Sequence, residues 1–221
     1  MSNNLGELRR LATWAQSVGL SASSDSDSLS ADVAVIGDAQ AVDDADRVAA
    51  AAIMAMHLGI QAPEVTSDFV DEQGRLDHDA WMDQCTAIRD FVNAQAPANA
   101  DPDPGQGTEA SDERLIADPL AALLTRATPA LLRFAEQIRT NCEASQPTLL
   151  QGPVVASAAL LASRGGAGVA VWCRPLQAGV SAVEQLCWSE LGIEPILPLR
   201  TGFYGSELIP SAMGVIWVAL S

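Results

Sequence analysis

The chain has 221 residues, of which 48% are hydrophobic and 18% charged, and its formal net charge at pH 7 is −16. This hydrophobic content is enough for a substantial core and excludes a disordered tail, while the acidic excess opposes binding to nucleic-acid phosphates or to an anionic membrane surface. All twelve basic residues are arginine, which excludes mechanisms that need a lysine, such as a P-loop cation or a Schiff base.

Helices and one strand are predicted in the N-terminal half of the chain. Apolar residues recur at helical spacing over residues 5–18 and again over residues 77–95, so each segment is predicted to be a helix. Between them, an apolar run at residues 33–36 predicts a strand. The alanine-rich segment that follows predicts a helix bounded by Asp43 and Gly59, because acidic residues suit the start of a helix and glycine suits its end.

Two segments have the composition of linkers. Residues 21–30 are rich in Ser and Asp, and residues 97–112 are rich in Pro, Asp and Gly, so neither segment has the apolar periodicity of a packed element. We predict that both are flexible, and that residues 1–221 form a single α/β domain around them.

The C-terminal half alternates strands with helices. Strands are predicted at residues 147–150, 168–172 and 193–199; helices are predicted at residues 119–125, 129–142, 154–163, 178–191 and 207–220. Strands separated by helices at this spacing pair in parallel through right-handed crossovers. The predicted fold is therefore α/β: a Rossmann-like, three-layer arrangement with helices on both faces of a parallel sheet. The helices at residues 5–18 and 207–220 add a small helical part, in which they pack together or against a second subunit.

Four segments resemble one enzyme family in matching order. Residues 148–162 are similar to a strand, an Asp-Gly-Phe turn and an Ala/Leu-rich helix, and residues 191–199 are similar to a Leu-Gly-Leu-Glu-Pro-Leu-Leu-Asp-Leu segment. Residues 5–12 resemble an opening helix, and residues 33–38 resemble a first strand that ends in Gly-Asp. The family is that of nicotinate-nucleotide:dimethylbenzimidazole phosphoribosyltransferases, which make the lower-ligand nucleotide of cobalamin.

This resemblance implies a phosphoribosyl transfer from nicotinate mononucleotide to a benzimidazole base, by a homodimer. The catalytic glutamate of the family falls in a loop that resembles residues 202–208 here. One alignment puts Ser206 at the position of that glutamate and another puts Gly205 there, which leaves Glu207 displaced by one or two residues. Glu207 is the candidate catalytic base, and Ser206 is a candidate substrate-binding residue.

Several polar motifs of the family are altered in this chain. Its Gly-rich phosphate loop has no counterpart, and residues 96–112 stand where that loop would be expected. A Gly-Asp-His-Gly turn is replaced by residues 37–40, and a histidine-containing segment is replaced by residues 174–179. Loss of a phosphate loop, of histidines and of a secure base is what relaxed selection on catalysis would produce.

Four further residues are candidates for substrate binding. In open α/β sheets, ligands bind outside the carboxyl ends of the strands, and there the sequence predicts a cluster of Asp38, Gln151, Arg174 and Arg200. The arginines are the groups available to hold a phosphate.

Three functions are left open by the sequence. The first is a divergent phosphoribosyltransferase, which needs Glu207 or another carboxylate to reach the crevice. The second is a pseudoenzyme that binds a nucleotide or an azole base without turning it over. The third is a structural or regulatory partner of an active relative.

The cysteines and histidines indicate neither a metal site nor a cofactor. The four cysteines have no Cys-x-x-Cys spacing, and the chain contains two histidines, a pattern that argues against zinc. We expect buried thiols in a reducing compartment. No apolar run approaches the roughly 20 residues of a membrane span, and no signal-peptide pattern opens the sequence. We therefore expect a cytoplasmic protein that uses no cofactor.

Overall fold

A parallel three-stranded sheet lies at the centre of the structure, a computed structural model that describes residues 2–22, 32–38, 42–66, 77–93, 127–200 and 206–220. The strands are β1 (Ala34–Gly37), β2 (Thr148–Gln151) and β3 (Cys173–Pro175), in that spatial order. Val35 pairs with Leu149, and Leu149 with Arg174. Beyond β3, an isolated parallel bridge joins Gln177 to Leu197.

The N-terminal half contributes four of the helices that the structure describes. They are α1 (Ser2–Ser17), α2 (Asp44–Leu58), the short α3 (Ala62–Val65) and α4 (His78–Asn93). Of these, α2 has the expected end signals. Asp43 caps α2 by accepting a hydrogen bond from the N–H of Asp46, whose carboxylate accepts one in return from the N–H of Asp43. Gly59 ends α2 in the left-handed conformation, with a φ of 67°.

The C-terminal half contributes the other helices that the structure describes. They are α5 (Pro129–Glu143), α6 (Pro153–Arg164), α7 (Val169–Trp172), α8 (Ala182–Leu191) and α9 (Ile209–Leu220), with a 3₁₀ turn (Ser206–Leu208) before α9. Gly192 ends α8 in the left-handed conformation, where the sequence predicted a stop. Within the described residues, no helix is both long enough and apolar enough to cross a membrane.

Helices cover both faces of the sheet. Ile36, Leu150 and Cys173 face a core built from α2, α5, α6 and α8, where alanines allow the helix backbones to approach one another closely. Leu149 faces a smaller core formed with Trp14 of α1 and Ile216 of α9. The predicted α/β class, with a parallel sheet between helical layers, is confirmed. The predicted packing of the C-terminal helix against the N-terminal helix is also confirmed.

The predicted strand at residues 168–172 is wrong. The segment forms α7, in which the N–H groups of Val171 and Trp172 donate to the carbonyl of Gly168, and the strand begins only at Cys173. A short apolar run fits a helical turn as well as a buried strand, and periodicity cannot distinguish the two. Val171 is 51% exposed, so the run is not buried on all sides as a central strand would be.

Two other predicted boundaries differ from the structure. The helix predicted over residues 178–191 begins at Ala182, because Ser181 and Glu184 form a capping box at that point. In the strand predicted at residues 193–199, only Leu197 forms a β-bridge, to Gln177 of the same chain. Pro195 and Pro198 have no N–H to donate to a ladder, which limits the pairing.

Several predicted segments fall outside the described residues. The linker predicted at residues 97–112 and the helix predicted at residues 119–125 lie wholly outside them, as does most of the linker at residues 21–30.

All four cysteines are buried and free, as predicted. They lie in α4, α5, β3 and α8.

Candidate functional site

The carboxyl ends of the strands carry a set of buried polar side chains. Asp38 directly follows β1, Gln151 ends β2, and Gln177 follows β3; they are 8%, 4% and 2% exposed, respectively. Ser181 and Glu184, at the start of α8, are buried beside them. We call these five residues the strand-end cluster. It lies at the edge of the sheet where parallel α/β proteins hold their ligands.

Asp38 caps the helix that follows the neighbouring strand. Its Oδ2 accepts a hydrogen bond from the N–H of Val154 at 3.1 Å, and its Oδ1 accepts one from the N–H of Val155 at 3.0 Å. The first N–H groups of a helix have no partner inside the helix and carry partial positive charge. The carboxylate of Asp38 therefore takes the position at the start of α6 that an external anion would otherwise occupy.

Gly152 makes this contact possible. Its φ is +102°, and a Cβ added at this position would lie 2.3 Å from Cγ of Asp38. Glycine reaches this conformation without steric cost, and it leaves the space that the carboxylate fills. The turn between β2 and α6 is thus built around the side chain that arrives from β1.

Glu184 joins the start of α8 to the same turn. Its Oε1 accepts a hydrogen bond from the N–H of Gly152 at 3.2 Å. Its Oε2 accepts hydrogen bonds from the N–H of Val180 at 3.1 Å and from both the N–H and the hydroxyl of Ser181, at 3.0 Å and 3.1 Å. With 1% of its surface exposed, Glu184 is a buried carboxylate that holds three segments of the fold together.

The electrostatics of the cluster raise the pKa of Asp38 to about 6 from an ordinary value of 3.8. Burial is the main cause, because it disfavours the charged form, and the negative charge of Glu184 adds to it. The N–H groups of Val154 and Val155 oppose this shift of the Asp38 pKa without cancelling it. Asp38 consequently changes its protonation state near pH 6 instead of near pH 4.

The structure brings Asp38 and Gln151 together, as predicted, but Arg174 lies elsewhere. It is the middle residue of β3 and pairs with Leu149, so it faces α1 and α9 instead of the strand ends. Its guanidinium stacks 5.0 Å from the centre of the Trp14 ring and donates to the carbonyls of Ala170 and Cys173. Because the strand starts later than predicted, a residue expected beyond the strand is inside it.

The other predicted residues are exposed. Arg200 is exposed, and it forms no ion pair with any residue that the structure describes. Ser206 and Glu207 lie in the 3₁₀ turn before α9, also with exposed side chains. Their proposed roles in binding and catalysis stay predictions.

Sequence reasoning missed Ser181 and Glu184. A Ser-x-x-Glu pattern is a capping signature, so the start of a helix at residue 182 was detectable. The burial of Glu184 was not, because it depends on the contact with Gly152, which lies far away in sequence. Within the described residues, no group of three or more His, Cys, Asp or Glu side chains is arranged to hold a metal ion.

Comparison with known proteins gives a fold. No protein-family profile matches the sequence, and no curated protein matches it. The crystal structure of CobT from Thermus thermophilus is similar over 96% of this chain and 53% of that one, with a TM-score of 0.62 and 19% identity. The crystal structure of a nicotinate-nucleotide-dimethylbenzimidazole phosphoribosyltransferase from the same organism is similar over 79% and 45%, with a TM-score of 0.57 and 19% identity.

The chain therefore has a CobT-like fold and spans about half the length of the structures that it matches. At this level of identity the similarity concerns the fold alone, since one fold commonly hosts different activities.

Proposed function

We propose that this protein is related in function to nicotinate-nucleotide:dimethylbenzimidazole phosphoribosyltransferases, and that it takes part in the synthesis of the lower-ligand nucleotide of cobalamin. The observation that supports this proposal best is the CobT-like fold over 96% of the chain. The buried polar cluster at the carboxyl ends of its parallel strands adds to it. The strand-end cluster would then bind a nicotinate nucleotide or a benzimidazole-type base.

The reaction would require one proton acceptor. A ring nitrogen of the azole attacks C1 of the ribose, the bond from C1 to nicotinate breaks, and the azole loses its N–H proton. A positioned carboxylate that takes this proton commonly contributes a factor of roughly 10² to 10⁴ to the rate. Glu207 is the proposed base, and Ser206 is proposed to contact the substrate beside it.

Asp38 and Gln151 are proposed to bind the azole or the nucleotide. Each oxygen of Asp38 accepts one backbone hydrogen bond, and a carboxylate oxygen can accept a second one. The ring N–H of an azole fits such an acceptor. Arg200, whose guanidinium forms no ion pair with the described residues, is the proposed phosphate ligand at this edge.

One observation favours a second function, which is binding without turnover. The N–H groups at the start of α6 donate to Asp38, and the N–H groups of Val180 and Ser181, just before α8, donate to Glu184. The starts of both helices beside the strand ends thus hold internal carboxylates, which would repel a phosphate. A protein that binds the neutral azole base, but not the nucleotide, matches this arrangement.

Calorimetric titration of the full chain separates the two functions. We would titrate nicotinate mononucleotide and dimethylbenzimidazole separately, and then follow release of nicotinate from the mixture by chromatography. Binding of both compounds with release supports transfer, whereas binding of the base alone without release supports the second function. If neither compound binds, both proposed functions are refuted.

The role of Glu207 has its own test. If the chain is active, Glu207→Gln is expected to lower the rate of nicotinate release by roughly 10²-fold or more. Glu143→Gln provides a matched control, because Glu143 is an exposed glutamate on α5. Equal rates in the two variants would remove Glu207 from the mechanism.

A further inference from the structure

A cavity of about 710 Å³ lies on the face of the sheet that α1 and α9 cover. Its wall is formed by α1, by β3, by the segment after α8 and by α9; the apolar contribution comes from Leu8, Leu11, Pro195, Ile196, Pro198 and Val215. The volume lies within the range of about 300–1,000 Å³ that small-molecule sites occupy. We call it the Arg174 cavity. It is separate from the strand-end cluster, because none of the five residues of that cluster lines it.

Arg174 is one of two arginines that line this cavity, and the fold fixes its position. The Nη1 group donates to the carbonyl of Ala170 at 2.9 Å and to that of Cys173 at 2.7 Å, while the guanidinium lies over the ring of Trp14. Trp14 is itself held in place, since its indole N–H donates to the carbonyl of Val171 at 2.8 Å. The guanidinium is thus oriented before any ligand arrives, which reduces the entropy lost on binding.

Part of the guanidinium has no partner among the described residues. Neither Nε nor Nη2 of Arg174 donates to a described group, and no described carboxylate forms an ion pair with it. Glu194 is close enough to act electrostatically on Arg174, but its ion pair is with Arg10, at 2.9 Å. Nε and Nη2 form one edge of the guanidinium, which matches the two oxygens of a carboxylate or of a phosphate.

The charges of the wall distinguish between these two ligands. Glu7 and Glu194 line the cavity together with Arg10 and Arg174, so the wall has no net positive charge. A phosphate monoester with about two negative charges would meet repulsion from two glutamates, whereas a carboxylate has a single charge. The apolar part of the wall needs an apolar partner if binding is to remove it from water.

We propose that the Arg174 cavity is a binding site for a small organic monocarboxylate, whose carboxylate accepts hydrogen bonds from Nε and Nη2 of Arg174 and whose apolar body lies against Leu11, Ile196 and Val215. The site does not depend on the function proposed for the strand ends. A failure of one proposal leaves the other intact.

The test uses 2-naphthoate as the probe and the full chain labelled with ¹⁵N. Trp14 reports on the site, because its indole N–H gives a separate signal that a Trp14→Phe variant assigns. We expect saturable shifts of that signal with 2-naphthoate, weaker binding of 2-naphthyl phosphate, and no saturable shift with neutral 2-naphthamide. Absence of a saturable shift with 2-naphthoate would overturn the proposal. Tighter binding of the phosphate would overturn the assignment to a carboxylate.

Two variants locate the ligand. Arg174→Gln is expected to weaken binding of 2-naphthoate by roughly 10-fold or more, since a charge-assisted pair is lost. Val215→Trp adds bulk where the apolar body of the ligand would lie and leaves Arg174 unaltered, and it is expected to weaken binding by a similar factor. Arg133→Gln is the matched control, because Arg133 also lies over an aromatic ring, at 5.1 Å from that of Phe134, but on the exposed surface of α5. Unchanged affinity in both cavity variants would refute the site.

Discussion

The strand-end cluster and the Arg174 cavity hold charged groups in opposite ways. In the cluster, every oxygen of Asp38 and Glu184 accepts at least one hydrogen bond from the protein itself. In the cavity, Arg174 uses Nη1 for the backbone and leaves Nε and Nη2 without described partners. The carboxylates of the cluster thus stabilise the fold through their hydrogen bonds. In the cavity, Arg174 retains N–H groups that can donate to a ligand.

This difference shows that a position at the carboxyl end of a sheet does not by itself make a charged residue available to a ligand. Asp38 lies where ligands bind in related folds, yet it stabilises the start of α6. Arg174 lies in the middle of a strand and is the more available group.

Gly152→Ala should have the largest effect, because it breaks the cluster. The variant combines an unfavourable φ with a Cβ only 2.3 Å from Cγ of Asp38, and we expect the free energy of unfolding to fall by about 4 kcal/mol. Urea denaturation measures it. Gly59→Ala is the matched control, with a φ of +67° and no atom within 4 Å of an added Cβ, so about 1 kcal/mol is expected. Equal losses would show that the contact with Asp38 is unimportant.

The contribution of Asp38 to stability should decrease as pH rises from about 4 to about 6. Its pKa is about 6 in the folded protein and 3.8 by reference, so the unfolded chain releases its proton first and unfolding becomes easier over this interval. A shift of about two pKa units corresponds to a change of at most about 3 kcal/mol in the free energy of unfolding.

Comparison of Asp38→Asn with the unaltered protein isolates this effect. The variant cannot ionise at this position, so the difference between the two free energies of unfolding should change over the same pH interval and remain constant above it. Urea denaturation at several pH values provides the measurement. A constant difference from pH 4 to pH 7 would mean that the pKa of Asp38 is not raised.

Arg174→Gln should have the smallest effect on stability. The variant loses the contact with the Trp14 ring and weakens the bonds to two carbonyls, and we expect a loss of about 1 kcal/mol in the free energy of unfolding. We therefore expect Arg174→Gln to affect ligand binding in the Arg174 cavity more strongly than it affects the free energy of unfolding. A loss as large as that in Gly152→Ala would instead make Arg174 a structural residue.

Sequence reasoning predicts the elements whose signals are local. Asp43 and Gly59 bound α2, and Gly192 ends α8, because capping depends on residues close to one another in the chain. The parallel pairing of β1 with β2 follows from the alternation of strands and helices. The short apolar run at residues 168–172 carries no such signal, and the structure resolves it as helix.

The candidate site was harder to predict because side-chain direction and burial depend on distant contacts. The strand begins at Cys173, after the segment that was predicted to be the strand, so Arg174 lies inside β3 and on the face covered by α1 instead of beyond the strand end. In the sequence, Glu184 is indistinguishable from an exposed helical glutamate. Its burial depends on the hydrogen bond from the N–H of Gly152, which is distant in the chain. Asp38 and Gln151 lie near the strand ends, as expected, because Asp38 follows β1 and Gln151 ends β2, and both strands are identifiable from the sequence.

The four buried thiols can be used to measure local opening of the fold. A reagent that alkylates thiols in solution reaches Cys85, Cys142, Cys173 or Cys187 only when the surrounding element opens. Since these residues lie in α4, α5, β3 and α8, the rate of modification at each, followed by mass spectrometry, compares the opening of four separate parts of the fold. Such profiling needs no engineered label.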